Sequence, residues 1–237
     1  MSSRVKICGI TRLQDAQLAA ELGAWALGMI FYAPSPRSCS LSEAQRVTAA
    51  LRRQVELCGV FVNPTLEHVV GTAEQLGLTL IQLHGDEGPA FCGEVARRTG
   101  ARVIKAAQVS GMGDVQDLAR FHVDFHLLDA RSTEPGKESL RGGTGEVFDW
   151  ALLSGRRSKV PLILSGGLGP ENVAEAIERV APYAVDSASG TEAAPGRKDP
   201  DKLRAFFSAV KSTATDSTGV RSTATDSTAT DSVESVA

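Results

Sequence analysis

The chain has no block rich in lysine and arginine, and its formal net charge over 237 residues is −3. A surface that tracks nucleic-acid phosphates or anionic lipid needs clustered cations, so neither a nucleic acid nor a membrane surface is an expected partner. No apolar run approaches the ~18 residues that a membrane-spanning helix requires. The N-terminus leads straight into a short strand and not into the longer apolar region of a secretory signal, so a cytoplasmic chain is expected. The four cysteines, Cys8, Cys39, Cys58 and Cys92, are scattered without CxxC spacing. That pattern argues against a metal site and, in a chain of this size, for free thiols. Neither the glycine-rich dinucleotide fingerprint nor a Walker motif occurs, which weakens the case for an open doubly wound sheet.

What is present is a regular alternation. The hydrophobic fraction of 42% suffices for a sizeable core. Val5-Lys6-Ile7-Cys8 reads as a buried strand, in which Lys6 and Cys8 share one face and Val5 and Ile7 the other. On its own this strand permits two readings. Cys8 is a small buried hydrophobe with Lys6 reaching to solvent, or it is a thiol set beside a positive charge. Thr11 with Gln14 forms a capping-box start for a helix ending at Gly23. Further strands are expected at 26–32, 57–62, 78–83, 102–109, 125–129, 161–164 and 183–186, with helices between them. Ser40 with Glu43 forms a second capping box. Asn63-Pro64, Gly169-Pro170 and Asp199-Pro200 mark three more helix starts, the last helix running to about Lys211. The connection 130–145 is polar and glycine-rich, longer than the roughly 2–6 residues of ordinary βα links, and a helix is expected at 148–153. Eight strands alternating with eight helices imply a parallel sheet closed into a single (β/α)8 TIM barrel over residues 1–211. Residues 212–237 repeat Ser-Thr-Ala-Thr-Asp-Ser-Thr at Ser212–Thr218 and Ser222–Thr228. Such a composition buries little apolar surface and is expected to form a disordered tail.

In a parallel barrel the loops after the strands share one face, and sites collect there. Polar residues do gather at these strand ends: Lys6 and Cys8, Gln82 and His84, Lys105, Asp129, and Asp186. Each has a bland reading: His84 as a loop histidine, Lys105 as a partner for a carboxylate, Asp129 and Asp186 as caps. Their collection on one rim favours a site, because burying unpaired charge is costly. Ser165-Gly166-Gly167 and Ser189-Gly190 follow strands seven and eight, where barrel enzymes often cradle a phosphate on backbone N–H groups. Gly142-Gly143-Thr144-Gly145 sits where a lid would close. Arg37, in Ser35-Pro36-Arg37, suits bidentate binding of a carboxylate or is an exposed surface residue. Cys39, Cys58 and Cys92 are assigned to packing.

Taken in order, Lys6-Ile7-Cys8-Gly9-Ile10-Thr11, Ser35-Pro36-Arg37, Gln82-Leu83-His84-Gly85, Leu128-Asp129-Ala130, Gly142-Gly143-Thr144-Gly145 with Phe148-Asp149-Trp150, and Ser165-Gly166-Gly167-Leu168 with Pro170-Glu171-Asn172-Val173 resemble the phosphoribosylanthranilate isomerases of tryptophan biosynthesis. The likeness runs from about Arg4 to Lys211. It departs at strand eight, where Val185-Asp186-Ser187-Ala188-Ser189-Gly190-Thr191-Glu192 stands for the family's Val-Asp-Val-Ser-Ser-Gly-Val-Glu. The resemblance implies an Amadori rearrangement of a small phosphoribosyl substrate, with Cys8 as base and Asp129 as acid. It places Arg37 on the anthranilate carboxylate, and Gly166, Gly167, Ser189 and Gly190 on the phosphate. His84, Gly143 and Asp186 complete the expected substrate-binding set. No metal or organic cofactor is implied, since both steps are proton transfers, and the protein is expected as a monomer or homodimer. The roles make opposite demands: a thiol base wants its pKa lowered by nearby positive charge, which Lys6 could supply, whereas an acidic aspartate must be kept protonated by burial or a neighbouring carboxylate. Related phosphate-binding barrels, such as indoleglycerol-phosphate synthase or a phosphoribosyl imidazole isomerase, are not expected to carry this first strand. A purely ligand-binding barrel would not need both Cys8 and Asp129.

Overall fold

A computed structural model of the chain describes residues 3–130 and 149–216. Eight strands, β1 (Arg4–Cys8), β2 (Ala26–Ile30), β3 (Glu56–Phe61), β4 (Leu80–Leu83), β5 (Arg102–Val109), β6 (Phe125–Ala130), β7 (Leu162–Leu164) and β8 (Ala184–Ser187), pair in parallel and in chain order. β8 returns to β1 and closes the barrel. Around it lie α1 (Leu13–Leu22), α2 (Leu41–Leu51), α3 (Leu66–Leu76), α4 (Pro89–Thr99), α5 (Met112–Asp117), α6 (Val173–Val180) and α7 (Pro200–Asp216). The (β/α)8 architecture expected from the alternation is therefore observed, with one unit altered. Among the described residues, the β6–β7 link carries a 3-10 segment, Trp150–Gly155, in place of a full α-helix.

Strand periodicity divides the core in two. Residues such as Ile7, Leu27, Leu57, Ile81, Val103, Leu128, Leu164 and Val185 face the helices. Cys8, Ala26, Cys58, Leu80, Ile104, Leu127, Ile163 and Ala184 fill the barrel interior. Each helix covers the sheet with one stripe: in α2 the buried positions are Ala44, Val47, Thr48 and Leu51, the i, i+3, i+4, i+7 spacing of a single helical face. The N-terminal end of the barrel is plugged by Trp25, Phe125 and Tyr183, whose ring centroids lie 5.1–5.6 Å apart. The apolar plug leaves the C-terminal end as the open one.

Several helix starts differ from expectation because the proposed capping side chains have stronger partners elsewhere. Thr11 donates its hydroxyl to the Gly196 carbonyl and α1 begins without a side-chain cap. Ser40 does cap α2, but Glu43 reaches across to the Leu13 amide at 2.6 Å and does not close the box. Asn63 adopts a left-handed backbone (φ 47°), and Thr65 caps α3 in its stead. α6 starts at Val173, after a turn through Gly169-Pro170. Asp199 caps α7 as expected, accepting from the Asp201 and Lys202 amides. That helix continues past Lys211 to Asp216. A small antiparallel hairpin, β9 (Glu192–Ala194) and β10 (Arg197–Lys198), was not foreseen. The remainder of the repetitive tail, 217–237, lies outside the described residues, as do Gly143 and the rest of the glycine-rich sixth loop with Phe148. Among the described residues no helix is long and apolar enough to cross a membrane.

The seam between β1 and β8 carries a charge pair inside the barrel. Lys6 and Asp186 are register partners, and Lys6 Nζ donates to Asp186 Oδ1 at 2.9 Å with both residues buried. Burial works against the ammonium, but the adjacent carboxylate outweighs it and holds Lys6 above the ordinary lysine range. Lys6→Met should leave Asp186 buried without its cation and cost about 3–5 kcal/mol, read as a lower urea midpoint. Lys6→Met/Asp186→Leu, which removes both charges, should recover most of that loss.

Candidate active site

Closure of the barrel sets the inward-facing ends of its strands around one cavity of about 50 Å³. Cys8 from β1, Gln82 and His84 from β4 and its following loop, Asp129 from β6, Ser165 after β7 and Asp186 from β8 line it, with Arg37 from the loop after β2. A smaller adjoining recess of about 20 Å³ is lined by Ser165, Gly166, Gly167, Leu168, Ala188 and Ser189, together with Asp129 and Asp186. Gly166 and Gly167 both have positive φ (88° and 61°), which non-glycine residues rarely tolerate. Among the described residues their backbone N–H groups have no hydrogen-bond acceptor. Two such donors on residues that line a recess suit it to an anion. Gly190 backs onto the Leu168 carbonyl and so joins the loops after β7 and β8.

Cys8 sits beside Lys6 on the inner face, as the strand alternation requires. Gly28, its register partner on β2, gives it room: a Cβ there would stand 2.8 Å from Cys8 Sγ and 3.3 Å from Lys6 Nζ. The electrostatic outcome reverses the sequence-based expectation. Burial pushes the Cys8 thiol up; Lys6 and Lys198 pull it down, Asp186 pushes it up again, and the net direction is upward. Lys6 cannot prevail because its charge is already matched by Asp186 at 2.9 Å.

Asp129 is buried, and His84 Nε2 lies 3.5 Å from its Oδ2. Gln82 Nε2 lies 2.8 Å from His84 Nδ1. With the Gln82 amide assigned as the donor, the remaining imidazole proton is on Nε2, which is buried near Asp129 without making a hydrogen bond. The loop that carries His84 is locked by Glu87, which accepts from the Gly85 and Asn63 amides and from Lys105 Nζ (2.7 Å). Lys105 thus has the bland role: it alternates to the helix side of β5, as a partner for a carboxylate, and does not line the cavity with Cys8.

Arg37 is neither exposed nor free. Its Nε donates to both Glu192 carboxylate oxygens at 3.0 Å and its Nη2 lies 2.9 Å from Oε2. One edge of the guanidinium is fixed, leaving further N–H donors on a side chain that lines the cavity. Glu192 also meets Lys198 Nζ at 3.4 Å, and that ammonium donates to the Ala188 carbonyl at 2.8 Å. Glu192 and Lys198 come from β9 and β10 and escaped the sequence reading as site residues. The available signal was Pro195-Gly196, a turn dipeptide between two short segments, which indicates a hairpin ahead of α7.

The sequence model described as N-(5'phosphoribosyl)anthranilate (PRA) isomerase matches residues 5–209. The N-(5'-phosphoribosyl)anthranilate isomerase of Citrifermentans bemidjiense is 46% identical over 212 residues, covering 90% of this chain and 98% of that protein. The crystal structure of phosphoribosyl anthranilate isomerase from Thermotoga maritima superposes with a TM-score of 0.79 at 42% identity, covering 89% of this chain and 99% of the other. A phosphoribosyl anthranilate isomerase in complex with reduced 1-(o-carboxyphenylamino)-1-deoxyribulose 5-phosphate is also similar, with a TM-score of 0.76 at 40% identity over 89% of this chain and 99% of that one.

Burial raises the other thiols too, Cys39 and Cys92 to about 11 and Cys58 to about 12. Iodoacetamide should therefore label the native chain slowly at pH 7, with labelling of Cys8, which lines the cavity, rising first as the pH increases, as read by peptide mass spectrometry. Labelling of Cys8 at a free-thiol rate at pH 7 would contradict the burial argument. The same shifts make folding stability fall with alkali. Unfolded thiols release protons from about pH 8.5, whereas folded ones hold them to about 11–12, so the unfolded state binds fewer protons across that window.

Proposed function

The chain belongs to the phosphoribosylanthranilate isomerase family, and we propose how its cavity residues divide the work of that family's Amadori rearrangement. The enzyme converts N-(5'-phosphoribosyl)anthranilate to 1-(2-carboxyphenylamino)-1-deoxyribulose 5-phosphate in tryptophan biosynthesis. Asp129 gives a proton to the ribose ring oxygen, the ring opens, and the anthranilate nitrogen is left in a Schiff base with C1. Cys8, as thiolate, then takes the proton from C2. The Schiff base accepts the electron pair, so the substrate supplies its own sink and the reaction draws on no external redox partner. The resulting enolamine gains a proton at C1 and loses one from the C2 oxygen, which leaves the ketone and no net change in protons.

The observation that carries this assignment is that Cys8 and Asp129 line one cavity, with Arg37 also on its wall and the Gly166–Gly167 recess adjoining it. The recess suits the phosphate, with Ser189 on its wall and Gly190 packed behind it against Leu168. Arg37, held along one edge by Glu192, presents its other donors to the anthranilate carboxylate. His84 faces Asp129, and its Nε2–H stabilises the carboxylate that forms as Asp129 gives up its proton. Asp186 balances Lys6 beneath the reacting carbons. The upward shift of the Cys8 thiol means that the base form is scarce at neutral pH, so kcat/KM should climb with pH into the alkaline range.

The fluorescence of the anthranilate substrate, which should fall on turnover, reads these roles. Cys8→Ala and Asp129→Asn should each lower kcat by about 10²–10⁴-fold with little change in KM. Arg37→Met should act mainly by raising KM. Near-wild-type turnover by both Cys8→Ala and Asp129→Asn would sink the assignment, and unchanged substrate with the unmodified enzyme would point to a binding protein.

A further inference from the structure

The cations around Cys8 are unequally matched. Lys6 has a carboxylate to itself, Asp186, at 2.9 Å. Arg37 and Lys198 share one, Glu192, and the sharing is uneven. Arg37 reaches both of its oxygens at 2.9–3.0 Å, whereas Lys198 Nζ is 3.4 Å from Oε1, which the Gly196 amide also engages at 3.1 Å. Lys198 is nonetheless fully enclosed, 2% exposed, and its shortest contact is the Ala188 carbonyl at 2.8 Å. Ala188, Arg37 and Cys8 line the same cavity. Gly9, the residue after Cys8, packs against Arg37 and Glu192, where a Cβ would stand 2.9 Å from Arg37 Cδ and 3.4 Å from Glu192 Oε1. The cluster therefore packs against the backbone that follows Cys8, and Lys198 and the thiol each influence the other's charge. An ammonium that is buried and only partly matched is costly unless further negative charge forms near it.

We propose that Lys198 is a positioning residue for the isomerisation, its incompletely matched ammonium holding the Cys8 thiolate that accepts the C2 proton. The inference rests on the reading of Cys8 as the base. Among the described residues, the other titratable and charged groups facing this thiol are Lys6 on β1, Cys58 on β3, Asp186 on β8, Glu192 on β9 and Arg37 after β2, with His84 and Asp129 on the remaining cavity walls. Of the cations among them, only Lys198 combines full enclosure with a shared and distant counter-charge. The dependence is reciprocal: burial lowers the Lys198 pKa, while Glu192 and a Cys8 thiolate raise it, so each charge favours the other.

The test uses the full chain and two variants, Lys198→Met, which keeps the stem and removes the charge, and Lys198→Arg, which keeps the charge. Iodoacetamide labelling of Cys8 is followed against pH by peptide mass spectrometry, beside the pH profile of kcat/KM. Lys198→Met should move both profiles to higher pH by about one unit, a roughly tenfold smaller thiolate fraction at a given pH. Lys198→Arg should keep them at or below the wild-type pH, because a guanidinium does not lose its proton where a lysine can. Lys198→Met profiles that coincide with wild type, with only a lower melting temperature, overturn the proposal and leave Lys198 a structural strut. If Lys198→Met does not fold, Lys198→Arg decides: a profile displaced upward by a unit despite the retained charge overturns the proposal. Labelling reads the thiol without turnover, so a failure here is separable from a failure of the base assignment, which Cys8→Ala tests.

Discussion

The Lys6–Asp186 pair at the seam of the barrel is the interaction on which the rest depends. The two residues are partners in the one strand pairing that turns an open parallel sheet into a closed barrel. A wrong register there would strand a charge in a dry interior, at a cost far larger than that of misplacing an apolar side chain. The pair therefore specifies closure as well as contributing to it. Because it is neutral as a unit, its two charges act on the cavity above in opposite senses and largely offset each other.

That neutrality has a catalytic consequence. A lysine two residues before a cysteine on one strand face suggests an activated thiol, yet Asp186 uses up the lysine's charge and burial leaves the Cys8 thiol raised. A scarce but strongly basic thiolate is a reasonable tool for removing a carbon-bound proton, since basicity and abundance trade against each other in general-base catalysis. The other cation that pulls the thiol down is Lys198, which shares Glu192 with Arg37. The loops after β2 and β8 are tied together there by a single carboxylate. One hairpin thus carries both Glu192, the partner of Arg37, and Lys198.

The elements best read from the sequence are those governed by local periodicity. The eight strands fell close to their places because apolar runs bounded by glycine and proline admit few alternatives, and the α2 stripe follows from spacing alone. Helix starts were less legible. Thr11, Glu43 and Asn63 all carry the chemistry of a cap, but each is claimed by a partner distant in sequence: the Gly196 carbonyl, the Leu13 amide and the Asp86 amide. Local rules rank residues by what they can do, and tertiary packing selects among those options. Lys105 shows the same limit at the site. It is a charged residue in a strand near the rim, but its parity on β5 turns it to the helix side, where Glu87 meets it.

The alternation of strands and helices, hence the barrel, is legible in the order of residues alone, as is the collection of Cys8, His84, Asp129, Asp186 and the paired glycines on its C-terminal face. Period-two geometry and short connections are properties of contiguous residues, and they leave the barrel little freedom. The charge relations within that face were decided only by the tertiary structure: Lys6 with Asp186, Arg37 and Lys198 with Glu192, and His84 with Asp129. Each joins residues far apart in the chain, and an electrostatic energy depends on distance and burial, which a linear order does not encode.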